Sequence, residues 1–584
     1  MPSETLLSEF RASLSFPLDA YQLDACRVLD SERSVLVAAP TGAGKTLVGE
    51  YAITRALAAG EKAFYTAPIK ALSNQKYHDL VALHGAEAVG LLTGDTSVNG
   101  EAPVVVMTTE VLRNMLYSGS DTLNGLRYVV MDEVHYLADR FRGSVWEEVI
   151  IHLDPDVLVV ALSATVSNAE EFGDWLAMVR GDCGVIVSEH RPVPLYQHVA
   201  VSQGKYDLPA LLSLKEAQRL PKEQRQAQTR QRGSRQGQSR RYQSRQDYAR
   251  EDQSSQRSHR HDDHDQRAPH QRSGSHHRPA PLRRPPRRSA VVEALEQEHL
   301  LPAIFFIFSR VGCDKAVSQC LRAGLTLTTP QEEAEIRFLV ENRAAEIPPE
   351  DLDVLEYWQW SAALARGIAS HHAGLLPVFK QTVEELFVRG LIKVVFATET
   401  LALGINMPAR SVVLEKLVKF NGISHEPLTA GEYTQLTGRA GRRGIDVEGH
   451  AVVVDQPALN VGALANLSTR RTYPLNSAFT PSYNMAVNLI AHAGDARARE
   501  ILEMSFAQFQ TDRSVVGLAK KAQSMPDNRA RKKLIKRITS MTGTITRTYD
   551  MNCGVLEELG YLRRSHGELT VTEQGQWLRT IYTE

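Results

Sequence analysis

A short apolar run, Ser34-Val-Leu-Val-Ala38, leads into Ala39-Pro-Thr-Gly-Ala-Gly-Lys-Thr46 and then into the helix-like Leu47-Val-Gly-Glu-Tyr-Ala-Ile53. Strand, glycine-rich turn and helix start, in that order, are the context a phosphate-binding loop requires. Gly42 and Gly44 let backbone N–H groups turn inward around phosphates, and the helix N-terminus adds a favourable dipole. Thr41 lies in the same loop, Lys45 would reach the β and γ phosphates, and the Thr46 hydroxyl would bind Mg²⁺. The loop opens with Ala39 where the strictest pattern has glycine.

The surroundings of the loop are those of a parallel sheet. Residues 1–200 alternate β-rich runs with helical stretches, as a parallel α/β sheet does. Strands are expected at Ser34–Ala38, Ala63–Thr66, Val104–Met107, Tyr128–Met131 and Leu158–Leu162. Their apolar character fits strands buried on both faces. A second series runs through Ala303–Phe308, Lys393–Ala397, Ser411–Leu414 and Ala451–Asp455, so two lobes with a cleft between them are expected. After about residue 471 the pattern turns helical. Val555-Leu-Glu-Glu-Leu-Gly-Tyr-Leu562 followed by Glu568-Leu-Thr-Val-Thr572 reads as a helix leading into the wing of a winged helix. The expected fold class is therefore α/β, two tandem P-loop lobes followed by a mainly helical winged-helix region. Its boundaries are 1–205, 291–470 and 471–584, with a basic insert at 206–290.

At 584 residues the chain exceeds what one core supports. No apolar run approaches the roughly twenty residues of a membrane span, and the N-terminus lacks a signal-peptide profile. Cys26, Cys183, Cys313, Cys320 and Cys553 are scattered, without a C-x-x-C pair. Reduced thiols, a cytoplasmic location and no zinc or iron–sulfur site are expected from that. The net charge of -1 conceals an asymmetry, since residues 221–290 hold 18 Arg or Lys against 7 Asp or Glu. The remainder is acidic by about a dozen charges. The segment from about Gln218 to Ala290 cannot bury enough apolar surface to offset chain entropy and reads as disordered. It is either a solvated linker or, through Arg283, Arg284, Arg287 and Arg288, a nucleic-acid tether.

Three further motifs belong with the loop. Tyr128-Val-Val-Met-Asp132-Glu133-Val-His135 ends a strand in adjacent carboxylates. Asp132 would hold the metal through water and Glu133 would polarise an attacking water. Leu162-Ser-Ala-Thr165 ends another apolar strand and would link the phosphate site to the second lobe. In Gln435-Leu-Thr-Gly-Arg439-Ala-Gly-Arg442-Arg443-Gly444, Arg439 and Arg442 would present guanidinium groups to one γ-phosphate. Because they lie in a different lobe from Lys45, hydrolysis is expected to require lobe closure.

Together these residues resemble the superfamily 2 DExH-box helicases, and among them the superkiller-like RNA helicases that include bacterial members. Phe16-Pro-Leu-Asp-Ala-Tyr-Gln22 resembles the adenine-recognition segment, which implies Gln22 on the base. Thr66-Ala-Pro68-Ile-Lys70 and Thr108-Thr109-Glu-Val-Leu-Arg113 resemble the first lobe's strand-gripping motifs. Phe308-Ser-Arg310, His371-His-Ala-Gly374 and Thr398-Glu-Thr400-Leu-Ala-Leu-Gly404-Ile-Asn406 resemble those of the second lobe. Arg142-Gly-Ser-Val-Trp146-Glu-Glu148, Arg191-Pro-Val-Pro-Leu195 and Leu475-Asn-Ser-Ala-Phe479 point to the superkiller-like group.

The resemblance implies ATP and Mg²⁺ as cofactors, with Gln435 and Glu133 orienting the water and Arg439 and Arg442 stabilising the transition state. It implies 3′ to 5′ stepping on single-stranded RNA, or on a duplex with a 3′ overhang, and an RNA-processing or degradation partner. It also places a strand-separating hairpin at Glu415–Glu432. Two departures stand out. Between Ser514-Val-Val-Gly-Leu518 and Val555 there is no room for the family's arch domain, and the sequence ends at Ile581-Tyr-Thr-Glu584, where a helical bundle is expected to begin. Two rival readings stay open: a repair-type DNA helicase, because phosphate contacts do not read the sugar, and an ATP-gated RNA clamp that does not unwind.

Overall fold

The computed structural model describes residues 3–580 apart from 141, 204–207, 220–284, 346, 403–406, 421–423, 470–471, 524, 526–528, 542 and 566. The first eight strands are β1 (Ser34–Ala38), β2 (Lys62–Ala67), β3 (Val89–Thr93), β4 (Thr96–Val98), β5 (Val104–Thr108), β6 (Leu126–Met131), β7 (Leu158–Ser163) and β8 (Cys183–Val187). They form one sheet in the order β4-β3-β5-β2-β6-β7-β1-β8. Every neighbouring pair is parallel except β3 with β4. β1, β5 and β7 are buried along their whole length, as continuous apolar runs covered by helices on both sides should be. The order places β6, β7 and β1 side by side. The two carboxylates, Ser163–Thr165 and the phosphate loop therefore leave adjacent strands at the same carboxyl edge, where open α/β sheets bind their ligands.

The second sheet contains β9 (Leu195–Val201), β10 (Ala210–Ser213), β11 (Ala303–Phe306), β12 (Ile368–His371), β13 (Val394–Ala397), β14 (Ser411–Leu414) and β17 (Gly449–Val454). Its order is β10-β9-β17-β14-β11-β13-β12. Only β10 is antiparallel to its neighbour. A short hairpin, β15 (Val418–Phe420) with β16 (His425–Pro427), lies within the span expected for a strand-separating hairpin. The apolar strands foreseen in this lobe all form, within a residue or two of the expected ends.

The sheets do not part at residue 205. β9 runs parallel to β17, Leu195 opposite Gly449 through Ala200 opposite Val454, so the crossing between lobes lies at 188–194. β10 and the helix Leu214–Arg219, placed by sequence in the insert, also belong to the second lobe. Pairing with a strand 250 residues later decides this, and no local pattern reports it. The part of the insert read as disordered falls mainly on 220–284, outside the described residues, as do its histidines. At its far side Arg288 forms a bidentate pair with Glu415, with both bonds at 3.0 Å.

Beyond the second sheet the chain is mainly helical, as expected. The helices Tyr483–Glu503, Phe506–Gln523, Arg529–Met541, Thr544–Glu558 and Glu573–Thr580 accompany the antiparallel hairpin β18 (Leu562–Ser565) and β19 (Glu568–Val571). This region has its own core, including Met485, Leu489, Tyr549, Leu556 and Leu569. It docks on the first lobe through Leu475 and Phe506, which are buried with Phe172 and Trp175. The Trp175 indole N–H donates to the Met504 carbonyl at 2.8 Å. Among the described residues, no helix is long and apolar enough to cross a membrane.

Candidate nucleotide site and strand-contacting face

The phosphate loop turns as its glycines allow, with Gly42 at φ +80° and Gly44 at φ +89°, in the left-handed region. A Cβ on Gly44 would also lie 2.9 Å from Gln22 Nε2 and 3.1 Å from Arg443 Nη1. Lys45 is buried and donates from Nζ to the loop's own carbonyls, Ala39 at 2.9 Å and Pro40 at 3.3 Å. Burial pulls its ammonium pKa down, while Glu133 and Asp132 oppose the shift. Thr46 opens the helix Thr46–Ala59, at the end of the loop.

Opposite the loop, Asp132 accepts from the Tyr65 hydroxyl (2.6 Å) and from the Glu133 backbone N–H (2.9 Å). Burial pushes its carboxyl upward, and the Glu133 charge adds to that. Glu133 has φ +50°, a left-handed backbone that is uncommon for a residue with a side chain. Strain of this kind persists where the surroundings hold it and clusters at functional sites. Burial alone would raise the Glu133 carboxyl, but His135, Lys45 and Arg439 outweigh it and hold Glu133 below the usual range. His135 Nδ1 lies 3.3 Å from Glu133 Oε2 and accepts from Ala164 N–H at 3.4 Å, joining the carboxylates to Ser163–Thr165. Burial lowers the pKa of this imidazole, and the Glu133 charge opposes that shift.

The second lobe closes the site. Arg439 faces Glu133, Tyr136 and Asp132, and burial draws its guanidinium pKa downward against their pull. Gln435 hydrogen-bonds the side chain of Tyr136, three residues after Glu133 on the other lobe. Arg442 does not join them. It forms a bidentate pair with Asp446, Nε to Oδ2 at 2.8 Å and Nη2 to Oδ1 at 2.7 Å. Arg443 crosses the cleft instead, donating from Nη1 to the Ala43 carbonyl (2.6 Å) and from Nη2 to Asp19 (3.0 Å). Spacing suggested the pair three apart. Competition from an acid four residues on turns Arg442 away, and the next residue takes its direction.

Gln22 is also placed otherwise than expected. Its Nε2 donates to the Gly44 carbonyl (2.8 Å) and its Oε1 accepts from Asp19 N–H (2.7 Å), so it braces the loop from a fully buried position. Tyr21 adds a bond from its hydroxyl to the Ala43 carbonyl at 2.7 Å. Tyr21, Tyr65, Tyr136 and Arg443 are the site residues that motif reading did not single out. A tyrosine beside a known motif was the one available signal.

Buried atoms here without a hydrogen-bond partner among the described residues include Glu133 Oε2, His135 Nε2, Ser163 Oγ and Gln435 Nε2. Buried polar groups are ordinarily satisfied, so their clustering around Lys45 marks where a polar ligand fits. Asp132, buried and pushed upward, has the character of a carboxylate suited to a divalent cation.

The residues expected to grip a strand divide into two sets. Lys70, Arg310, Gly374 and Thr400 are exposed at the carboxyl ends of their strands. Pro68 and Thr109 are buried, with Thr109 Oγ1 3.4 Å from the Ala67 carbonyl, and Arg113 is half-buried against Asn114. β11, β13 and β12 are neighbours, which brings Arg310, Thr400 and Gly374 to one edge. A Cβ on Gly374 would lie 3.7 Å from Arg310 Cδ. His371 and His372 are buried behind that edge, held by Glu384 (2.7 Å) and Asp314 (2.9 Å). His372 Nδ1 in turn accepts from Gly374 N–H, fixing the turn. Gly404 and Asn406 lie outside the described residues.

Two mainly parallel sheets that present a glycine-rich loop with Lys45 and a buried Arg439 across one cleft define the two-lobe fold of P-loop motors. Residues 19–172 match the DEAD/DEAH box helicase family, and residues 342–444 match the helicase conserved C-terminal domain. The chain is 56% identical over 514 residues to "Probable helicase HelY" of Mycobacterium tuberculosis, covering 88% of this chain and 54% of that protein. It is 35% identical over 525 residues to "Exosome RNA helicase MTR4" of Homo sapiens (90% and 46%). To "Superkiller complex protein 2" of Mus musculus it is 36% identical over 512 residues (85% and 38%). The chain carries both domains of a DEAD/DEAH-type helicase motor, and its likeness is to the superkiller-like DExH-box helicases of superfamily 2. It spans about half the length of the curated relatives it matches.

Proposed function

We propose that this chain is the motor of an ATP-dependent RNA helicase that steps 3′ to 5′ on single-stranded RNA and opens duplexes bearing a 3′ overhang. The observation that carries the reading is the convergence of Lys45, Glu133 and Arg439, from two separate sheets, on one buried polar cluster. Lys45 would exchange the loop carbonyls for phosphate oxygens. Glu133, held as a carboxylate, would take a proton from the attacking water while Gln435 orients it. Arg439 would stabilise charge on the transferring phosphoryl group, with Arg443 rather than Arg442 as the second cross-cleft cation. Thr46 and Asp132 would hold Mg²⁺, which supplies charge neutralisation at the phosphates.

Because Arg439 and Arg443 reach the loop from the other lobe, nucleotide state would set lobe separation and so the spacing of Lys70 from Arg310 and Thr400. The RNA preference is supported by relatives named as RNA helicases, at 35% and 37% identity. The name of the first of these, an exosome RNA helicase, supports an RNA-degrading partner. ATP hydrolysis measured against matched single-stranded RNA and DNA tests the reading. Stimulation by RNA alone is expected, followed by strand release in an unwinding assay. Equal stimulation by DNA would favour the repair-type reading, and hydrolysis without strand release would favour the clamp.

A further inference from the structure

The helix Arg529–Met541 takes no part in the cleft. Its first nine residues, Arg529-Ala-Arg-Lys-Lys-Leu-Ile-Lys-Arg537, hold six basic residues and no acidic one. Arg529, Lys532, Lys533 and Lys536 fall at i, i+3, i+4 and i+7, which is a single stripe along a helix. All four are exposed, while Arg531 and Leu534, on another side, are half-buried. The helix packs on Phe506–Gln523. Among the described residues no acidic group pairs with any of the four.

Like charges three and four residues apart weaken a helix. A stripe of this kind, with no interspersed acid, is a standing cost that a polyanion removes. It stands out further because the chain outside the 221–290 segment is acidic by about a dozen charges. A helix that lies on a membrane needs a broad apolar face open to the lipid, whereas this one rests against the neighbouring helix. Four cations over about 10 Å of helix, on the motor of a helicase, suit a run of backbone phosphates.

We propose that the stripe Arg529, Lys532, Lys533 and Lys536 is a second RNA-binding surface, apart from the cleft, that holds phosphates without reading sequence. It rests on the RNA reading of the motor. The test uses the full chain, a fluorescent polyuridine oligonucleotide and anisotropy at several salt concentrations. The variant R529Q/K532Q/K533Q/K536Q is compared with wild type and with K532R/K533R.

Each phosphate contact contributes about 0.7 to the slope of log affinity against log salt for a single strand. The quadruple variant should therefore lose up to about 3 from the slope and on the order of tenfold in affinity at moderate salt. ATP turnover without RNA should not change, and K532R/K533R should bind as wild type does. Unchanged affinity and slope in the quadruple variant would overturn the stripe alone. Intact RNA binding with lost binding to anionic phospholipid vesicles would also overturn it, in favour of a membrane surface. A wild-type chain that binds no RNA would undo the RNA reading of the motor and the stripe with it.

Discussion

The candidate nucleotide cleft and the edge proposed to contact a strand are built on the same carboxyl edges of the same two sheets, yet they are held in opposite ways. In the cleft, Lys45, Asp132, Glu133 and Arg439 are withdrawn from solvent, and each has its protonation shifted by burial and by the others. At the edge, Lys70, Arg310 and Thr400 are exposed, and the buried residues, His371 and His372, act as props for the turn. Chemistry on a phosphoryl group needs fixed charges in a dry site. A grip that must release at each step needs surface charges and backbone.

The contrast breaks most sharply at Glu133. Glu133→Gln should keep nucleotide binding and reduce hydrolysis by about a thousandfold, measured by single-turnover kinetics beside a binding titration. Turnover near wild type would remove Glu133 from the role of base. Next in size is the arginine comparison. Arg439→Ala should cost about a hundredfold in kcat, Arg443→Ala about tenfold. Arg442→Ala should chiefly lower the melting temperature of the second lobe by freeing Asp446. If Arg442→Ala instead loses turnover as Arg439→Ala does, lobe closure must turn Arg442 away from Asp446.

A third test concerns Glu147, which joins the first lobe to the helical region. Its carboxylate accepts from Phe506 N–H (2.7 Å) and from the Ser477 hydroxyl, yet burial raises its pKa to about 8. A group whose folded pKa lies above its unfolded value stabilises fully below the unfolded pKa, near 4.5, and that stabilisation is lost as pH rises through about 8. Thermal stability should therefore fall between pH 5 and pH 9, and Glu147→Gln should flatten the curve. A parallel decline in both proteins would assign the dependence elsewhere. The smallest effect belongs to the exposed edge. Lys70 is paired with Asp95 at 2.6 Å in full contact with solvent, so Asp95→Asn should leave the melting temperature unchanged. By freeing Lys70 it should tighten RNA about twofold, read by anisotropy at low salt.

How much of this was legible in the chain follows a physical line. The strands that carry the motifs are continuous apolar runs, so Ser34–Ala38, Tyr128–Met131, Ser411–Leu414 and their companions could be read directly. β3, β8, β9 and β12 are short or only partly apolar and were not foreseen. The loop glycines, Lys45, Asp132 and Glu133 were also readable, because backbone chemistry and strand-end position fix their use within a few residues.

What tertiary structure alone decided involves partners far away in sequence. Pairing with β17 assigns β9 to the second lobe. Asp446 claims Arg442 and leaves Arg443 to cross to Ala43, 400 residues earlier. Gln22 braces Gly44 from a buried position, and Glu147 receives Phe506 from the helical region. Local sequence determines which backbone conformations and charges a segment offers. Which of several nearby charges meets a given partner depends on packing and on competing acids, and those come together only in the folded chain.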